Sequence, residues 1–197
     1  PYSYPKRKVV HMNTLAAIKH KNFIDVDGGY GFDQTALREK WSAYRADRAC
    51  GIATLANLIA YKEKKRAFDK NDALRFMSEI LLAAPPRPWG IAAGGILVRA
   101  MGRMGRKYRA EFLKRRATDE EIKAFLLRAL NADRPVALLN TNHPNKSFRY
   151  HWVTITEMVE EDGELYVRFS SWGRRYKMRF EELFVRGRMY RSMFFIK

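Results

Sequence analysis

Cysteine is nearly absent from this chain: Cys50 is the only one among 197 residues. No intramolecular disulfide can form, so the fold has to rest on its core. Histidine is scarce as well, with four in all. His143 and His151 have no further His, Cys or paired carboxylates nearby in sequence, which argues against a metal site. Acidic residues are few, 21 against 38 Lys and Arg, leaving a net charge of +17. Such a surplus attracts polyanions: nucleic acid, anionic lipid head groups or acidic wall polymers. Hydrophobic runs are interrupted by charge well before the ~18 residues that span a bilayer. There is no internal repeat and no low-complexity tract. Glycines scattered over 90–105 lack the Gly-Lys-Ser/Thr ending of a phosphate loop, so no nucleotide cofactor is expected, nor any other. Helix-turn-helix, zinc-finger and single-strand-binding signatures are missing too. The chain opens on Pro1, which reads as a trimmed or processed product whose targeting segment is out of view. Lack of disulfides suits the cytosol, but secreted and cell-surface bacterial enzymes also dispense with them, and that outer location is slightly favoured.

What is present is a core: 47% of the residues are hydrophobic, enough for one domain of this length. Residues 1–32 read as an irregular N-terminal arm with a turn at Asp27-Gly28-Gly29. Residues 33–197 read as a single domain, helical over about 33–132 and sheet over about 133–197. Asp33 is placed to cap a short helix through Tyr44, with Leu37 and Trp41 on one face. Further helices are expected over 49–64, over about 71–84 until Pro85, and over 89–101. Another should start at the capping box Thr118-Asp119-Glu120-Glu121. Tyr108 to Leu113 reads as a strand. The period then changes. Pro135 to Leu139 is a buried strand and Trp152 to Val159 alternates. Glu161-Asp162-Gly163 is a hairpin turn before Leu165 to Phe169, with more strands at Tyr176–Phe180 and Ser192–Ile196. Helices followed by an antiparallel sheet make an α+β fold.

Cys50 stands in Ala49-Cys50-Gly51-Ile52-Ala53, at the start of the second expected helix. A helix N-terminus offers free N–H groups and partial positive charge, both of which lower a thiol pKa. Gly51 would let a substrate approach the backbone, with the Cys50 N–H as an oxyanion donor. Far downstream, His151 opens a strand on which Val153 and Ile155 share its face, placed to take a proton from sulfur. The next strand ends in Ser170-Ser171-Trp172-Gly173, where an orienting partner for the imidazole should lie. The loop from Asn140 to Asn145 reads as a rim of the cleft.

Cys-Gly at a helix start, then His151-Trp152-Val153-Thr154-Ile155, then Ser170-Ser171-Trp172-Gly173, resembles a papain-fold cysteine peptidase over about residues 33–185. The last motif is similar to the Asn-Ser-Trp-Gly of papain. The Cys-to-His spacing is closer to the peptidases that cleave double-glycine bacteriocin leaders. The resemblance implies an N-terminal helical lobe packed on a C-terminal antiparallel sheet, with Cys50 as nucleophile, His151 as general base and Ser170 in the place of the usual Asn or Asp. It also implies a peptide or protein substrate and no cofactor. Strand alternation puts Ser171, rather than Ser170, on the face of Leu165, Val167 and Phe169, and a bulge at the turn would reconcile the two. The Gln that the family places shortly before its Cys has no counterpart, because the only Gln, Gln34, stands too far upstream. Tyr44 and Arg45 are the substitute donors in that neighbourhood, and Trp152, Ser171, Trp172 and Asn140 complete the expected cleft. Two other readings stay open: an inert papain-like binding module, and a basic nucleic-acid-binding protein with a structural Cys. The stretch from Arg174 to Tyr190 mixes cations with aromatics and fits phosphate contacts, but it also describes a surface strand with its aromatics turned inward, the preferred reading. Specific nucleic-acid binding is therefore not expected.

Overall fold

The computed structural model describes residues 11–141, 143–184 and 191–197. The part of the basic stretch at 185–190, Asn142 of the polar loop and the first ten residues of the arm lie outside them. The chain enters as a strand, β1 (Met12–Ala17), paired antiparallel with residues 157–161. A hairpin follows, β2 (Asp25–Val26) and β3 (Gly29–Tyr30), turning on Asp27 and Gly28 at φ 52° and 80°. This left-handed pair is the turn geometry that suits the twist of two strands. Residues 12–17, 25–26 and 29–30 are thus strands of the two sheets, where an irregular arm was expected. Most β1 side chains are exposed, so the strand shows no alternation by which it could be read.

The Asp33 side chain accepts from Thr35 N at 2.8 Å but starts only a 3₁₀ turn, Gln34–Glu39. Ser42 restarts the chain as the short helix α1 (Ala43–Ala46). The next helix, α2 (Cys50–Lys62), is buried at every position from Cys50 to Tyr61. It is apolar nearly all round, so it has to be enclosed on all sides. A short strand, β4 (Ala67–Phe68), lies parallel to β2. Asp69 then caps α3 (Lys70–Ala83), which ends before Pro85 because the residue preceding proline is pushed out of helical space. After α4 (Gly94–Arg103) and β5 (Ala110–Phe112), the Thr118–Glu121 capping box is formed in full and opens α5 (Asp119–Asn131). The remaining elements are β6 (Val136–Asn140), β7 (His151–Glu161), β8 (Glu164–Ser171), β9 (Arg174–Arg179), a short α6 (Phe180–Leu183) and β10 (Arg191–Ile196).

Among the described residues the large sheet runs β5-β10-β6-β7-β8-β9, with β1 also on β7, and every pairing in it is antiparallel. The fold is α+β. Helices cover both faces of the sheet, rather than forming one lobe on one side. Adjacent residues of a strand point to opposite faces. Phe194 packs on Trp152 and Phe112 and borders Gly94 of α4, whereas Phe195 packs on Phe125 of α5. Asn57 of α2 donates to Thr154 Oγ1 at 3.1 Å, on the Trp152 face, so α2 and α4 share one side and α5 takes the other. The basic stretch at the β9 edge is largely neutralised within the sheet. Arg175 pairs with Glu157 at 2.6 Å, Lys177 with Glu161 at 2.6 Å and Arg179 with Glu164 at 3.1 Å, while the Tyr176 ring lies inward on Phe169. That is the arrangement of a surface strand.

Gly31 joins the hairpin to the helical face. Its φ is +83°, and a Cβ there would run into the Ser170 hydroxyl and come within 2.7 Å of Asn57 Oδ1. Asn57 Oδ1 already accepts from Phe32 N at 3.0 Å. The left-handed penalty is about 1–2 kcal/mol and overpacking adds about 1–3 kcal/mol. Gly31→Ala should therefore lower stability by about 3 kcal/mol, read from urea unfolding. A loss below 1 kcal/mol would show that Ser170 and Asn57 can move aside.

Candidate active site

Cys50 is the first residue of α2, and Ala49 before it supplies no side-chain cap. The thiol is 6% exposed, and Sγ lies 4.0 Å from the Tyr150 carbonyl oxygen, to which it donates weakly. Burial pushes the thiol pKa up. The N–H groups of Trp152, Gly51 and Cys50 itself pull it down without overcoming burial. The expectation of a depressed thiol is corrected: the helix terminus acts as foreseen, but desolvation outweighs it.

His151 is the first residue of β7, reached through Tyr150 in the left-handed region at φ 53°. Its Nε2 lies 2.7 Å from Ser171 Oγ. Its ring stacks on Trp172 at 4.1 Å with 13° between planes, and Phe148 closes another side. Burial in this aromatic setting lowers the imidazole pKa to about 3. With Nε2 engaged, Nδ1 is the nitrogen left for a proton. If Nε2–H donates to Ser171, Nδ1 is the basic one. His151 leaves β7 on the face opposite Thr154 and α2. Imidazole and thiol therefore approach each other only around the end of the strand. Among the described residues no hydrogen bond joins them, but both line one cleft of about 510 Å³.

Ser170 is not the partner of His151. It pairs in register with Thr154 and donates to Tyr30 O at 2.6 Å, on the other face of the sheet. No bulge at the turn reverses this; the irregularity in the β7–β8 ladder lies between Ile155 and Glu157. Alternation along β8 decides for Ser171. Ser171→Ala should leave a buried imidazole nitrogen unpaired at a stability loss of about 1–3 kcal/mol, and slow any His151-dependent turnover about tenfold for each 1.4 kcal/mol of lost orientation. Ser170→Ala should leave turnover unchanged. Equal effects of the two on kcat would remove the distinction.

The other expected cleft residues divide. Trp172 is there, at φ +45° between His151 and the Gly173 turn. Trp152 is not: it is 2% exposed and donates from Nε1 to Ile91 O at 2.7 Å. Nor is Gly51 open to a substrate, since a Cβ there would meet Ile91 at 3.2 Å and Trp152 at 3.3 Å. It is glycine-sized because the helix packs closely on those side chains. Tyr44 lies under the Arg48 guanidinium at 4.0 Å, and Arg45 lies over Trp41 at 5.4 Å. Neither lines the cleft. Asn140 sits opposite His151 in the β6–β7 register but does not line the cleft; its Nδ2 donates to Leu183 O at 2.9 Å, and its buried Oδ1 has no partner among the described residues.

The residue missed is Gln34. It is buried in the wall of the cleft, and its Nε2 donates to Ala46 O at 3.2 Å and Asp47 O at 3.0 Å. It holds the turn that delivers Cys50. The fold brings it back across the 3₁₀ turn and α1, so sequence distance hides it; its being the only glutamine was the one available signal. Among the described residues no group of three His, Cys, Asp or Glu side chains is placed to hold a metal ion. No family model matches the chain, and no curated protein matches it.

Proposed function

We propose that this chain is a papain-like cysteine peptidase or related amide hydrolase. The observation that supports it most is one cleft lined by a thiol at a helix start and by an imidazole held through Nε2 by Ser171 and stacked on Trp172. The reaction starts from the neutral pair. As Sγ attacks the amide carbonyl, its proton passes to His151 Nδ1. The imidazolium then gives that proton to the leaving amine as the C–N bond breaks, leaving a thioester. Water attacks the thioester with His151 again as base, releasing the acid and restoring the thiol. The Cys50 N–H and Gln34, freed from one of its carbonyls, are the donors for the oxyanion. The papain-like arrangement, Ser171 in the Asn or Asp place, and a peptide substrate all belong to this proposal. A second reading, an inert papain-like module that binds a partner, is favoured by one fact: the thiol bonds to Tyr150 O rather than to the imidazole.

Mass-spectrometric analysis of a diverse peptide library incubated with wild type, Cys50→Ala and His151→Ala tests the choice. Cleavage is expected from wild type alone. No cleavage by wild type, or cleavage that survives in Cys50→Ala, would reject the hydrolase.

A further inference from the structure

We infer that the cleft at Cys50 is a clamp for a peptide carrying an acidic residue beside an aromatic one; this deepens the hydrolase reading and rests on the same cleft. Large apolar side chains rarely stand free on a monomer in a group, and grouped ones mark binding sites. Here two of the most exposed, Trp89 at 67% and Tyr150 at 64%, line the same cleft. Trp89 belongs to the cysteine wall and Tyr150 adjoins the histidine.

Both rings stand on stiff supports. Trp89 is at the tip of a closed turn in which Arg87 N donates to Gly90 O at 3.1 Å and Gly90 N to Arg87 O at 2.8 Å, with Gly90 at φ +78°. Pro88 restricts the same turn, and Arg48 Nε donates to its carbonyl at 2.6 Å. Tyr150 is set by its left-handed backbone immediately before β7. Rigid aromatic groups with few rotatable bonds lose little entropy on binding and dominate contact energies. Exposed as they are, these two rings gain nothing for the free fold, so their burial is available to an occupant.

Charge selects the occupant's polar part. Arg48 and Arg149 both line the cleft. Arg48 is held by Tyr44 O at 3.1 Å and by the Tyr44 ring, and Arg149 by His143 O at 3.2 Å. Neither forms an ion pair among the described residues. The one carboxylate of the lining, Asp47, is occupied by Arg38 at 2.6 Å. Two fixed cations beside two aromatic jaws fit a carboxylate next to a planar side chain, and oppose a cationic peptide.

The test uses Cys50→Ala, which binds without turning over, and fluorescence anisotropy of three labelled octapeptides identical except for a central Glu-Phe, Glu-Ala or Lys-Phe pair. Glu-Phe should bind about tenfold more tightly than either of the others. Trp89→Ala, and Tyr150→Asn, which keeps the left-handed backbone, should each weaken Glu-Phe about fivefold to tenfold. Arg149→Gln should erase most of the preference for Glu over Lys. Equal affinity for the three peptides, or full affinity in a protein carrying both Trp89→Ala and Tyr150→Asn, overturns the clamp. Selective binding without any cleavage by wild type would keep the clamp and remove the hydrolase; cleavage of all three alike would do the reverse.

Discussion

Cys50→Ala is expected to abolish peptide hydrolysis while moving the unfolding midpoint little. Losing the nucleophile of a covalent mechanism removes several powers of ten in kcat, on the order of 10⁶ in a comparable serine enzyme. The structural change is small, because one sulfur is removed from a site that is 6% exposed and donates only to Tyr150 O at 4.0 Å. The lost contacts amount to about 1 kcal/mol. The sign of the thiol shift adds a second expectation. With the pKa raised by burial, the thiolate that reacts with iodoacetamide is scarce at neutral pH and increases only above the ordinary thiol range of about 8.5. Alkylation followed by intact mass should thus be slower at pH 7 than for a free cysteine, and nearly indifferent to His151→Ala. A fast reaction at pH 6 that vanishes with His151 would mean a resting thiolate–imidazolium pair instead of the neutral pair proposed. Residual hydrolysis in Cys50→Ala would place the chemistry elsewhere.

How far the residues announced this arrangement depends on how local the signal is. The Thr118–Glu121 box and the Asp162-Gly163 turn are formed within a few residues, and both appear where the sequence puts them. The helix at Cys50 was legible from the apolar face of Ile52, Leu55, Ala56 and Ile59, though its burial on every side was not. By contrast, β1 carries mostly exposed side chains and is a strand only because residues 157–161 offer it an edge. Whether helices cover one face of the sheet or both turns on which of Phe194 and Phe195 meets α5, a matter of tertiary packing. At the site, alternation along β8 identified Ser171, while the motif match pointed to Ser170. The physical period was the better guide, because a hydroxyl one residue out of phase faces Tyr30 across the sheet. Gln34 was hidden because its place depends on the path of the 3₁₀ turn and α1, which no spacing encodes. The cationic surplus was plain from composition, but its distribution was not: β9 is paired off against Glu157, Glu161 and Glu164, while Arg48 and Arg149 keep their charge at the cleft.

Acidification should unfold this protein earlier than its carboxylates would dictate, through His151. The imidazole has an ordinary pKa of about 6.5 in the unfolded chain and about 3 in the fold, lowered by burial. Between those values the unfolded state binds a proton that the folded state refuses. A depressed base therefore leaves stability intact above pH 6.5 and removes it as pH falls, by about 1.4 kcal/mol per unit. The loss is about 2 kcal/mol at pH 5 and about 4 kcal/mol at pH 3, a large share of the 5–15 kcal/mol typical of a domain. Glu63, Glu111 and Glu121 have pKa values held low by their cationic partners. Their contributions are present above the ordinary carboxylate value and are lost only as pH falls below about 4.5, so the window from 6.5 to 4.5 belongs to His151. Urea midpoints measured from pH 7.5 to 4.5 should fall steadily in wild type and stay much flatter in His151→Phe, whose ring fits the Trp172 stack and carries no proton. If that variant does not fold, the imidazole C–H resonance of His151 in wild type gives the same answer, because it should not titrate while the protein stays folded. A resonance that moves with a midpoint near 6.5 would show an imidazole open to water. The same desolvation keeps His151 a free base at pH 5, so activity should disappear on the acid side with unfolding rather than with titration of the base.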